Sequence, residues 1–154
     1  MKKFMELACA EALQGMQAGD GGPFGAVIVK DNKIIAAGHN KVLGSKDSTA
    51  HAEIVAIRMA EQILGTHDLS GCELYATCYP CPMCLGAIMW ARIDRVYFGC
   101  STEEAAAIGF DDRVFYEAIA NPWDNQIVVL EQHDSKACQD VFKEWMKLDN
   151  KQIY

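Results

Sequence analysis

The chain has 154 residues, 51% of them hydrophobic, and a net charge of −7; that is enough for one domain around one substantial core and too apolar for disorder. No apolar run reaches the roughly 20 residues that span a membrane as a helix, so no membrane is expected. The acidic balance argues against a large nucleic acid as partner, which ordinarily meets a basic surface, and favours a small substrate.

Residues 2–18 carry Met5, Ala8, Cys9, Ala12 and Met16 at helical spacing. The start is basic and apolar, but Glu6 and Glu11 interrupt it, so a helix is expected rather than a targeting segment. "GDGGP" (19–23) ends that helix. "FGAVIVKDNKIIAAGHN" predicts two strands joined by a turn at Asp31-Asn32, with "AVIV" buried on both faces. "DSTAHAEIVAIRMAEQIL" predicts a helix capped by Asp47, Ser48 or Thr49, with Ala52, Val55, Ala56, Met59 and Ile63 on its inner face, widened by Ile54 and Ile57. "CELYATC" is a predicted strand, "PMCLGAIMWAR" a helix with Pro82 in its first turn, and "RVYFGC" the next strand. Residues 102–120 read as irregular helix, "QIVVLEQ" as a fifth strand, and about 135–148 as the last helix. The order predicts a single α/β domain over 1–154: a three-layer sandwich with a five-stranded mixed sheet, an antiparallel first hairpin and helices on both faces.

The chemistry concentrates in two short stretches. "HAE" (51–53) opens the central helix, and "PCPMC" (80–84) opens the next. Helix N-termini favour thiolate over thiol. Two thiolates and a neutral imidazole suit zinc and leave a fourth position for water. His51, Cys81 and Cys84 are therefore the expected ligands of one Zn2+ per subunit, and Glu53 the proton carrier. Histidine-x-glutamate with proline-cysteine-x-x-cysteine resembles the signature of zinc nucleobase deaminases. Residues i and i+2 of a helix point about 200° apart, so His51 and Glu53 can share one water only if His51 lies at the frayed first turn.

Cys78, Cys81 and Cys84 are equally spaced, which also admits an iron–sulfur site. The expected fourth cysteine is missing, since Ile88 and Met89 follow. A closed structural zinc site with Cys78 or Cys100 as fourth ligand is the other alternative; Glu53 beside the metal favours catalysis. His39, His67 and His133 are expected to face solvent, and Cys9, Cys72, Cys100 and Cys138 to be small core residues. Trp90 is expected in the core, with a pocket wall second. Seven cysteines without an export signal suggest reduced thiols and a cytoplasmic protein.

Through "HAE" and "PCPMC" the sequence resembles the cytidine-deaminase-like superfamily of zinc deaminases. Through "GGPFGAVIVKD", "TAHAE", "PCPMCLGAI", "WAR", "GFDD", the following "FY" and the terminal "NKQIY" it is similar to the bacterial guanine deaminases within it. The resemblance implies that Asn40 and the backbone N–H of Ala52 hydrogen-bond a purine, that Phe24 and Trp90 line its pocket, and that Asp112 accepts from the guanine N1–H and amino edge. It also implies a homodimer in which a segment over about 135–154 is swapped, so that Tyr154 closes a neighbour's pocket. One position departs from the pattern: Tyr79 stands where such relatives often carry Glu before the Pro-Cys pair. The expected reaction is hydrolytic deamination of guanine to xanthine and ammonia. Alternatives are guanosine, cytosine or cytidine, then adenosine in transfer RNA, then a non-catalytic zinc module.

Overall fold

Ala26-Val27-Ile28-Val29 offers no polar side chain to either face, and the structure, a computed structural model describing residues 1–124 and 127–154, places it mid-sheet. Strand β1 (Gly25–Lys30) pairs antiparallel with β2 (Lys33–His39) on one side and with β3 (Cys72–Cys78) on the other. β3 pairs in parallel with β4 (Arg95–Cys100), giving the order β2-β1-β3-β4. The turn between β1 and β2 has Asp31 at φ 49° and Asn32 at φ 60°. Two left-handed residues match the twist of a tight hairpin.

Alternation along β1 separates two apolar layers. Ala26 and Ile28 join Ala52, Ala56, Ile57 and Ala60 of helix α3 (Ala52–Leu64) and Ile88 of helix α4 (Pro82–Trp90). Val27 and Val29 join Phe4 and Ala8 of helix α1 (Lys2–Ala18). The remaining helices are the short α2 (Val42–Ser45), α5 (Thr102–Ala107), α6 (Arg113–Ala120) and α7 (Ser135–Met146). The chain divides into two compact units, Met1–Tyr116 and Glu117–Tyr154. The first carries the sheet and both apolar layers. In the second, Val141, Phe142, Trp145 and Met146 of α7 are exposed. Among the described residues, no helix is long and apolar enough to cross a membrane.

The structure corrects several expectations. Among the described residues the sheet has four strands, not five: Gln126 lies outside them, and 127–132 form no strand. A β-branched run becomes a strand only where an edge is there to pair with it. Helix α3 starts later than the capping residues foresee. Asp47 instead accepts from the N–H and hydroxyl of Thr49, closing a local turn, and His51 takes the cap position. The inner face of α3 also turns further than the spacing suggests, leaving Met59 and Ile63 exposed. Cys72 is a core residue, whereas Cys9, Cys100 and Cys138 are exposed.

Candidate active site

Two helix N-caps at the site carry metal-ligating residue types where a capping side chain could stand. His51 caps α3 with φ −66° and ψ 158°, and Cys81 caps α4 with φ −63° and ψ 167°; neither makes a side-chain capping bond. A serine or aspartate there would contribute about 1 kcal/mol to its helix. Instead, extended backbone at each cap turns an imidazole and a thiol away from their own helices, towards each other. Pro82 follows Cys81 at the start of α4, where its missing N–H costs nothing, and Cys84 lies in that first turn.

His51 Nδ1 is 3.5 Å from both Cys81 Sγ and Cys84 Sγ. The ligand atoms of His51, Cys81 and Cys84 all lie within 4.8 Å of one another. Zinc bonds of about 2.0 Å to nitrogen and 2.3 Å to sulfur, set tetrahedrally, place the two ligand atoms about 3.6 Å apart. The three donors thus fit a zinc ion, through the Nδ1 tautomer position of His51. The Cys81 thiol is held down to about 4, first by the hydrogen bond from Cys84 and then by His51, against the effect of burial. Cys84, donating that bond from a buried position, is pushed up. Metal binding requires these donors to be deprotonated, so a dication bound here would displace protons from them.

Glu53 is only 8% exposed and lies against the Cys84 thiol. Burial raises its carboxyl above the usual range. Because His51 stands before the helix and Glu53 in its first turn, the angular demand of an i, i+2 pair is met. Cys78 is not part of the cluster: its thiol points to the Ser101 carbonyl at 3.6 Å, and burial pushes it up to about 11. Among the described residues, no other group of His, Cys, Asp and Glu is gathered this way, so neither Cys78 nor Cys100 joins as fourth ligand.

The two aspartates of "GFDD" are unlike. Asp111 is exposed and bonded twice by the Arg113 guanidinium, at 2.7 and 2.6 Å, which holds it down to about 2. Asp112 Oδ1 is buried with no hydrogen-bond partner among the described residues. Burial raises the Asp112 carboxyl, and the charge of Cys81 raises it further. Asn40 is 6% exposed; its Oδ1 accepts from Val42 N–H at 3.1 Å, which leaves the carboxamide nitrogen as the group able to meet a ligand. Ala52 is the first residue of α3, so its N–H has no acceptor within the helix. Phe24 packs edge-on to Phe110 at 4.9 Å, both rings against Gly22.

Other placements differ from the sequence reading. Trp90 is 67% exposed at the end of α4 and is not a core residue. Tyr79 sets its ring edge-on to Phe98 at 5.0 Å and near Tyr116 at 6.3 Å. Tyr116 donates from its hydroxyl to the Pro80 carbonyl at 2.5 Å, fixing the backbone just before Cys81. Only the "FY" after "GFDD" pointed to it, and periodicity could not. His67 and His133 are exposed, but His39 is buried between Glu11 and Asp20. Tyr154 belongs to the second unit and is 69% exposed.

Residues 1–100 match the family described as cytidine and deoxycytidylate deaminase zinc-binding region. The chain is 46% identical over 151 residues to guanine deaminase of Bacillus subtilis (strain 168), covering 98% of this chain and 97% of that protein. A crystal structure of guanine deaminase from Bacillus subtilis superposes with a TM-score of 0.95 at 45% identity, covering 99% of this chain and 98% of that one. A tRNA-specific adenosine deaminase of Agrobacterium fabrum (strain C58 / ATCC 33970) is 45% identical over 112 residues, 73% of each chain. With two sulfurs and an imidazole gathered at the starts of two helices and a buried glutamate beside them, the chain belongs to the cytidine and deoxycytidylate deaminase family and is a hydrolytic deaminase of that zinc-binding type.

Proposed function

We propose that this protein hydrolyses guanine to xanthine and ammonia, with one zinc ion per chain held by His51, Cys81 and Cys84. The observation that carries the choice of base is the buried Oδ1 of Asp112, which has no hydrogen-bond partner among the described residues. An orphan buried acceptor is costly unless a ligand donor completes it. Guanine offers N1–H and the 2-amino group side by side, whereas N1 of adenine and N3 of cytosine are acceptors at the corresponding edge. The Bacillus subtilis relative named guanine deaminase is similar over nearly the whole chain, which supports the same choice.

Zinc in an open three-ligand site supplies the Lewis acidity that makes water a nucleophile near neutral pH. Glu53 takes one proton from the attacking water and places it on N3 of the base as oxygen bonds to C2. It then carries the second proton to the amine as the C2–N bond breaks, so that ammonia leaves. A carboxyl raised by burial suits both receiving and giving. The carboxamide nitrogen of Asn40 and the N–H of Ala52 orient the purine, and Phe24 and Trp90 flank it.

We further assign a homodimer in which the segment over about 135–154 is exchanged and Tyr154 closes the partner's pocket; the exposed apolar residues of α7 support this. Seven free thiols fit the reducing cytoplasm. The test is ammonia release from guanine, guanosine, cytosine, adenosine and a transfer RNA by zinc-loaded protein. Guanine is expected to be turned over fastest. Faster release from another member of the panel, or none from guanine, overturns the assignment. Truncation of 150–154 is expected to raise KM for guanine without unfolding the sheet, and unchanged kinetics would remove the role of Tyr154.

A further inference from the structure

His39 sits where two negative side chains converge from different parts of the chain. It is 7% exposed, with Nδ1 3.1 Å from Glu11 Oε2 and Nε2 3.0 Å from Asp20 Oδ2. A neutral imidazole carries one N–H, so it can satisfy only one of two ionised carboxylates. Both contacts are satisfied when both ring nitrogens donate, in a bridge from α1 to the 19–23 loop. Gly15 makes room for it: a Cβ at that position of α1 would overlap the imidazole.

The bridge is coupled to the substrate side of the sheet. Along β2 past the bulge at Ile35, Ala37 joins the Phe4 layer and the His39 ring meets Gly15, so odd positions from 37 face α1. Ala36 joins the opposite layer and Gly38 abuts Val55 of α3, so even positions face α3. By the same alternation Asn40 turns away from α1. Asp20, held by His39, accepts through its backbone carbonyl from Leu43 N–H at 2.9 Å and Gly44 N–H at 3.0 Å. The next residue, Gly21, lies so close to Asn40 that a Cβ there would overlap its Oδ1, and that oxygen accepts from Val42 N–H. Asn40 is thereby caught between two segments that both hang on Asp20.

We propose that His39, bridging Glu11 and Asp20, is a positioning residue that fixes the Asn40 carboxamide for substrate binding. The inference rests on the assignment of Asn40 as a purine contact. His39 touches no reacting atom and acts through the 19–23 and 41–44 segments.

The test is a double-mutant cycle on kcat and KM for guanine, with bound zinc measured alongside. His39→Gln is expected to raise KM about tenfold with kcat within about twofold and zinc unchanged. In an Asn40→Ala background the same substitution is expected to change KM by less than about twofold, because its route to the substrate is already gone. An equal rise in both backgrounds overturns the proposal, as does no rise in the native one. If Asn40→Ala alone leaves KM unchanged, the substrate assignment of Asn40 is what fails, and the proposal falls with it. Should His39→Gln lose zinc or secondary structure, Asp20→Ala replaces it in the same cycle with the same outcomes, since it removes the carboxylate at the more exposed end of the bridge and keeps the backbone carbonyl.

Discussion

Two histidines of this protein each stand between two side chains that can carry negative charge, and they are built for different tasks. At His51 one ring nitrogen faces both sulfurs at 3.5 Å, so three donors converge on a point. At His39 the two nitrogens face opposite carboxylates at 3.1 and 3.0 Å, so the contacts diverge. Convergence leaves room for a metal and an open face. Divergence leaves none and makes a strut. The backbone decides which: His51 is an extended cap ahead of a helix, while His39 ends a strand whose ring is sealed against Gly15.

The largest effect is expected where convergence is broken. Cys84→Ala should remove bound zinc and lower ammonia release by at least about 10³-fold, measured by metal analysis and a coupled ammonia assay; full activity without metal would end the distinction. Glu53→Gln should keep the metal and lower kcat by about 10²- to 10⁴-fold, as follows from its proposed role as proton carrier rather than ligand. At the strut, His39→Ala should leave zinc content intact and reduce stability in urea by about 2 kcal/mol, the scale of a lost bond to a charged group. Loss of zinc in that variant would show the two histidines to be one site. Cys78→Ala should do least: zinc content and kcat within about twofold, with a stability change under about 1 kcal/mol. A large loss of metal there would restore the third cysteine as a ligand.

What the sequence disclosed follows from range. His51, Glu53, Cys81 and Cys84 were legible because each pair is local and its spacing has a chemical meaning. The hairpin was legible because Asp31-Asn32 states its own turn. His39 was not, because its partners lie 28 and 19 residues away and no local pattern announces them. The same holds for the pairing of Tyr116 with Pro80, 36 residues apart. Ile127 to Leu130 misled as a strand because β propensity registers side chains fit for a sheet without saying whether an edge awaits them. Trp90 and the outer residues of α3 misled because an apolar side chain on a helix does not state which way the helix is rolled.

Gly15 carries a consequence for how such chains can diverge. A glycine within a helix costs roughly 1 kcal/mol relative to alanine, so drift should replace it wherever nothing needs the gap. Here the imidazole of His39 occupies the space that a side chain would take. The two positions are therefore tied in descent. A homologue that fills position 15 with a side chain must carry something slimmer than an imidazole at position 39, and an alignment of such homologues should show histidine at 39 only where 15 is bare.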